Sequence, residues 1–285
     1  MSNKSRARSE LFTRIVKNKK LIISLVMVTI LVMLAIFGPI FVPYGYEQMN
    51  TGERLAPPNQ NNIFGTDHFG RDLFSRVVYG ARYSLMISLL VVIFSNIIGI
   101  TFGVSAGYIG GKFDIFAMRV IDIIFTVPWI LIAILVAMSI GRGTQTVIIA
   151  LSIVYSPQVA RVIRGTTLSL KEKEFIEAGK ISGEKSLSII FRYILSNSLG
   201  PLIVQSTMVM AYTMLAEAAL SYLGYGIAPP TPSWGLLLQD ATRYYIKSSY
   251  LVYFPGAAIM FAVLSFSFLG DGLRDLLDPK FSPLG

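Results

Sequence analysis

The sequence predicts an all-α membrane protein: six transmembrane helices with a helical hairpin on the cytoplasmic side. Three observations predict it. The chain is 53% hydrophobic and only 14% charged, with a mean hydropathy of +0.61, whereas a soluble domain carries about 25% charge. Six apolar runs approach the length of about 20 residues that a helix needs to cross the hydrocarbon core. Lys and Arg are unevenly shared between the segments that join those runs.

In chain order, residues 1–19 form a basic tail, and 20–42 the first transmembrane run. That run is too long for a signal peptide, and no small-residue cleavage site follows it. Residues 43–82 form a long outer segment, and 83–271 a five-helix core with runs near 83–107, 115–140, 146–163, 198–222 and 251–270. Ser156, Pro157 and Gln158 interrupt the fourth run. The core includes a loop at 164–197, and residues 272–285 form a C-terminal tail. With the tail at 1–19 in the cytoplasm, seventeen Lys and Arg lie on the cytoplasmic side and seven outside, while Arg119 falls within a run. This is the positive-inside pattern, with both termini cytoplasmic. It accounts for the net charge of +9 without nucleic acid, and the basic tail can lie on anionic lipid. The absence of Cys and the single His68 leave no disulfide framework and no expected metal site.

The loop near 174–195, EFIEAGKISGEKSLSIIFRYIL, is charged and amphipathic. Lys171 to Ser182 reads as one helix, stopped by Gly183. A second helix follows, with Leu187, Ile190, Phe191, Ile194 and Leu195 at one-face spacing. Two readings fit: insertion into a partner's groove, or a helix flat on the lipid surface.

Several motifs do not carry the chemistry they resemble. GYIGGKF at 107–113 has Ala106 and Phe113 where a phosphate loop needs Gly and Ser or Thr, so no nucleotide site is expected in this chain. GVSAG at 103–107 lacks the strand–turn–helix context and histidine of an esterase elbow, and no catalytic residue is assigned. Gly99, Gly103, Gly107 and Gly111 recur every four residues, as a ridge against another span or a partner permits; Gly107 and Gly111 can equally end the span. Asp67, His68 and Asp72 read as turn and salt-bridge residues. APPTPSWG at 228–235 reads as a rigid outer loop. There Trp234 anchors at the interface, or Pro230, Pro232 and Trp234 contact an external protein or form a lid over a pathway. Ionisable residues inside spans mark sites by their cost. Arg119 and Asp122, three apart, can pair on one face, either as a structural tie or as gating residues on a pathway. Glu217 can face a pathway or bond to a neighbouring helix.

Glu177-Ala178-Gly179, Gly183 and Ile194-Leu195 resemble the EAA loop of ABC-importer permeases. The family pattern has Ala at Gly179 and Pro at Ser196; Gly179 loosens the first helix by up to about 1 kcal/mol relative to Ala. RLAPPNQNNIFGTDHFGRDLFSRVVYGARYSL (54–85), LAEAALSYLGYGIAPPTPSWG (215–235) and FPGAAIMFAVLSFSFLGDGLRDLLDPK (254–280) resemble the C-type subunit of the dipeptide/oligopeptide/nickel permease family. The resemblance implies the MetI-like fold of a type I ABC importer in a bacterial inner membrane. It implies coupling to the ATPase through Glu177, Ala178, Gly179, Gly183, Glu184 and Lys185. The implied partners are a homologous B-type permease, two cytoplasmic ATPases that bind ATP and magnesium, and an extracytoplasmic substrate-binding protein. It also implies an amphipathic segment over 64–82 at the outer surface, with Leu73, Phe74, Val77 and Val78 on its apolar side and Arg71, Arg76 and Arg82 opposite.

The function so implied is the permease subunit of an ATP-driven peptide importer. The same family takes nickel and other small solutes. A stand-alone proton-coupled transporter, with Asp122 and Glu217 as relay, needs no hairpin. A membrane enzyme lacks a nucleophile–base pair.

Overall fold

The computed structural model describes residues 15–277 apart from Lys17. Most of the basic tail and the end of the C-terminal tail lie outside the described residues. Lys19–Phe41 forms α1, capped by Asn18, whose side chain accepts from Leu21 N at 3.1 Å. Leu73–Ile109 forms α2 and starts ten residues before the predicted run. Asp72 sets that start: its carboxylate accepts from Ser75 N at 2.8 Å and Ser75 Oγ at 2.7 Å, a side-chain cap for an otherwise unpaired donor. The segment at 64–82 is therefore not a surface helix. Leu73, Val77 and Val78 are buried in the bundle, and so are Arg71 and Arg76; only Arg82 of the three arginines is exposed.

The third predicted run is broken. Gly111–Thr126 (α3) and Trp129–Ile140 (α4) meet at 92°. Pro128 stands at the corner, and Val127 before it takes an extended backbone, as the residue before proline prefers. Thr144–Lys171 (α5) continues about two turns beyond its apolar run and carries Pro157 inside. Proline cannot donate to the carbonyl four residues earlier; Ser156 Oγ donates to Ile153 O at 3.0 Å in its place. Glu174–Ile181 (α6) and Ser186–Ile189 (α7) form the hairpin. A π-helical turn over Ile190–Leu195 joins α7 to Ser196–Tyr222 (α8) without a break. Trp234–Ala241 (α9) and Tyr250–Leu277 (α10) complete the chain. Five helices are long and apolar enough to span a membrane, and the bent pair α3–α4 brings the number to six.

The α2–α5 pair is the centre of the bundle; α8 packs on both, α10 on α8, and α1 on α2 and α10. One core runs through these helices, including Leu31, Ile87, Val91, Leu151, Val159, Val209 and Met214. Gly99, Gly103 and Gly107 set the closeness of α2 to α5. A methyl group added at Gly103 would lie 2.6 Å from Ala160 O, and one at Gly99 2.5 Å from Val159 Cβ. The ridge thus faces a span of the same chain, and Gly111 is not on it, since Gly111 opens α3. At the loop end, residues 42–72 are held down by Tyr250 Oη, which donates to Thr66 O at 3.0 Å, and by Phe64 stacked on Phe254 at 3.8 Å.

Candidate functional site

The hairpin is built around a glycine turn. Gly183 has φ +76, a conformation that glycine takes at little cost. Gly183 N–H donates to Lys180 O and Glu184 N–H to Gly179 O, both at 3.0 Å, the paired bonds of a glycine-closed helix end. Glu184 then folds inward and accepts from Tyr193 Oη at 3.0 Å and Ser188 Oγ at 3.2 Å. Ile176, Ile189 and Ile194 form a small core with Tyr108 of α2 and Leu170 of α5. The hairpin is thereby seated on the ends of both central helices.

The π-turn changes which side chains face inward. A wider turn brings residues five apart, Ile189 and Ile194, onto the buried side. Leu187 and Phe191, expected on the apolar stripe by α-helical spacing, are exposed instead, as are Phe175 and Ile181. Glu177, Ala178 and Lys185 also face outward, whereas Gly179 is buried. A methyl group at Gly179 would sit 3.9 Å from Glu184 Cδ, Ile189 Cγ1 and Tyr193 Cε2, an ordinary contact. Gly179→Ala is therefore expected to stabilise the hairpin by up to about 1 kcal/mol. Hydrogen exchange of the amides at 174–195 should slow by up to about fivefold.

The span charges differ from the expected pairing. Asp122 does not meet Arg119: its carboxylate takes Arg161 of α5 at 2.7 Å, and Arg161 lies 3.9 Å above the Phe125 ring. Arg119 is exposed and makes no ion pair among the described residues. Arg161 gains both a carboxylate and a ring face across the helix–helix contact, and Arg119 reaches neither. One turn along α5, Arg164 forms a two-point pair with Asp114, at 2.5 and 2.6 Å. Arg161, at the end of the fourth apolar run, and Arg164, placed by that run in the loop, are both helical residues that tie α3 to α5.

Glu217 is a closed structural knot, 1% exposed. It accepts from Ser221 Oγ at 2.7 Å and from Ser84 Oγ at 3.4 Å. It bonds α8 to α2 and does not face an open path. Trp234 neither anchors at the membrane interface nor reaches an external partner. It is 1% exposed, and its Nε1 donates to Val77 O at 2.9 Å. Ser233 caps α9, turning the predicted loop into a helix, and Gly235 lets that helix approach α8. Pro232 is buried with them, while Pro230 is exposed.

Asp67, His68 and Asp72 do not converge on one point. Asp72 caps α2, and His68 stacks on Tyr244 at 5.1 Å. Asp67 holds Arg71 Nε at 2.6 Å and faces Arg76 Nε at 3.6 Å, with Asp240 4.0 Å from Arg71. Burial pushes the Asp240 carboxyl above the usual carboxylate range and the His68 imidazole below its own.

Residues 99–283 match the family model of the binding-protein-dependent transport system inner membrane component. Residues 8–58 match the N-terminal TM domain of oligopeptide transport permease C. The dipeptide transport system permease protein DppC of Alkalihalophilus pseudofirmus is 43% identical over 95% of this chain and 89% of its own length. The oligopeptide transport system permease protein OppC of Bacillus subtilis is 35% identical over 92% of this chain and 86% of its own. Among solved structures, a permease chain of the inward-facing MetNI methionine ABC transporter matches 71% of this chain and 97% of its own, at a TM-score of 0.59 and 19% identity. That likeness shows the MetI-like fold. The chain is a multi-pass membrane permease and belongs to the family of binding-protein-dependent transport system inner membrane components.

Proposed function

We propose that this chain is one of two permease subunits of an ATP-driven importer of short peptides, and that its hairpin couples the spans to cytoplasmic ATPases. What supports the reading is the continuity of hairpin and span. Ser186–Tyr222 is one helix of 37 residues, about 55 Å long at 1.5 Å per residue. A push on the hairpin therefore moves α8 as a lever, with no loop to absorb it. Only Glu172 and Lys173 separate the hairpin from α5, so both helices move with it. Phe175, Ile181, Leu187 and Phe191 are left exposed beside Glu177 and Lys180. This is an apolar surface ringed by charge, of the kind that fills a groove on a partner.

The excess of Lys and Arg supports a hairpin and an N-terminus on the cytoplasmic side of the membrane, which in this reading is a bacterial inner membrane. ATP and magnesium would be held by the ATPases, since this chain has no phosphate loop. A second, homologous permease completes the pathway, and an external binding protein delivers substrate. Peptide is the substrate class because the dipeptide and oligopeptide permeases match over nearly the whole chain.

The test is purification of the tagged chain in mild detergent, followed by reconstitution of whatever assembly comes with it. A second permease and ATPase subunits should co-purify, and the vesicles should take up radiolabelled dialanine only with ATP. A chain that purifies alone and moves dialanine on a proton gradient would replace this reading with an ion-coupled carrier.

A further inference from the structure

We propose that a ladder of polar side chains on α5 and α8, closed at one end by the Asp122–Arg161 pair, is a binding site for the backbone and charged ends of a short peptide. The inference rests on the peptide-importer reading and assigns its substrate contacts.

Tyr155, Gln158 and Arg161 recur every three residues on α5 and so share one side of it. Gln205 and Tyr212, seven apart, share a side of α8. The two rows meet. Gln205 Nε2 donates to Gln158 Oε1 at 3.2 Å, and Tyr155 Oη donates to Tyr212 O at 3.1 Å, with the tyrosine rings 6.5 Å apart. The helices run in opposite directions, so the tyrosine pair sits toward the loop end and the ion pair toward the hairpin end.

Tyr155 is buried at the back of the ladder, at 7% exposure; the other rungs are polar and open. Gln158 and Gln205 are half-buried, Tyr212 is 47% exposed, and the Asp122 and Arg161 side chains are each 50% exposed. Primary amides and an ion pair are costly to face toward hydrocarbon. Most large residues exposed on the outside of the bundle are apolar, so a polar strip between two helices borders water or protein rather than lipid. The single bond between the two glutamines uses one of their four N–H donors. Donors and acceptors are left facing the open side.

A peptide backbone offers alternating N–H and C=O groups whatever its side chains, and a primary amide matches both. Its ends carry an ammonium and a carboxylate. Asp122 and Arg161 supply the complementary charges, and an ion pair so exposed is weakly held, so it can exchange partners with the peptide. Asp114–Arg164 is less exposed and doubly bonded, and Glu217 is sealed; neither can do the same. The size also fits. Tyr155 to Arg161 covers about 9 Å of helix, and an extended dipeptide about 7 Å. A longer peptide would run past Tyr212 toward the loop end.

The absence of Cys makes the test direct. Gln158→Cys, Gln205→Cys and Tyr212→Cys are placed singly in the reconstituted complex. Each is treated with a charged, membrane-impermeant thiol reagent during ATP turnover, with Ile36→Cys on the apolar outside of α1 for comparison. The three ladder positions should react, and saturating dialanine should slow them at least fivefold, while Ile36→Cys stays unreactive. Gln158→Leu, which keeps volume and removes the amide, should raise the KM for dialanine uptake about tenfold with a smaller change in kcat. No reaction at the three positions, or reaction that dialanine does not slow, overturns the ladder. A parental complex that takes up no peptide overturns the importer reading itself; one that takes up peptide while the ladder stays unprotected overturns the ladder alone.

Discussion

Asp67→Asn is expected to destabilise the chain by about 3–5 kcal/mol, the cost of breaking a buried ion pair from one side. Asp67, Arg71 and Arg76 have side chains only 7%, 5% and 1% exposed. Asp67 Oδ2 faces both guanidinium groups, and Oδ1 accepts from the backbone N–H of Phe69 and Arg71 at 2.8 and 3.0 Å. Asparagine keeps the second role, because its oxygen still accepts. It loses the first, since its amide would point N–H donors at two buried cations. Asp240 is 4.0 Å from Arg71 and 32% exposed, too far to take over. The comparison is Asp122→Asn, which breaks a pair exposed by half on both sides and should cost about 1 kcal/mol or less. Thermal unfolding of the purified complex should separate the two variants clearly. Equal losses would mean that the Asp67 cluster is wetter than its burial implies.

The contrast bears on what the sequence could reveal. Asp67, Arg71 and Arg76 sit among turn residues, and as a string of letters they look like solvated loop charges. Their burial depends on α9, more than 150 residues away, folding over them with Trp234. That docking has no local signal: three prolines before a tryptophan predict a stiff loop, not a helix that plugs the bundle. Glu217 was hidden in the same way. A carboxyl in an apolar run marks a site by its cost, but only the arrival of Ser84 from α2 shows that the cost is met by hydrogen bonds. The spans were readable because each needs only a long apolar run. The hairpin's stop was readable because Gly183 is chemically unusual at that point. The π-turn was not, since a six-residue change of winding leaves the apolar pattern almost intact while exchanging Leu187 and Phe191 for Ile189 on the buried side. Arg161 had a signal, its three-residue spacing from Gln158 in the weakest span, where it stands just before the end of the apolar run.

Gly183→Pro should uncouple the permease while leaving its spans folded. Gly183 has φ +76 and donates its N–H to Lys180 O; proline holds φ near −65° and has no N–H to give. It also disfavours the helical backbone that Ser182 now adopts, at φ −72 and ψ 0. The turn must rebuild at a cost of about 3 kcal/mol. That cost falls on the hairpin alone, because a side chain added at Gly183 would meet nothing within 4 Å. A penalty of 3 kcal/mol lowers the population of the native hairpin about 150-fold relative to its alternatives, and the apparent affinity for a partner falls with that population. ATP-driven uptake of dialanine should therefore drop by about two orders of magnitude, with the reconstituted chain unfolding at a near-parental temperature. Gly179→Ala, which tightens the same helix without moving the turn, should keep uptake. Phe191→Ser, which removes an exposed apolar side chain and leaves the turn intact, separates geometry from contact: if it too loses uptake, the hairpin acts through its surface as well as its shape. Full uptake by Gly183→Pro would mean that movement reaches α8 by another route, and the hairpin would no longer be the coupling element.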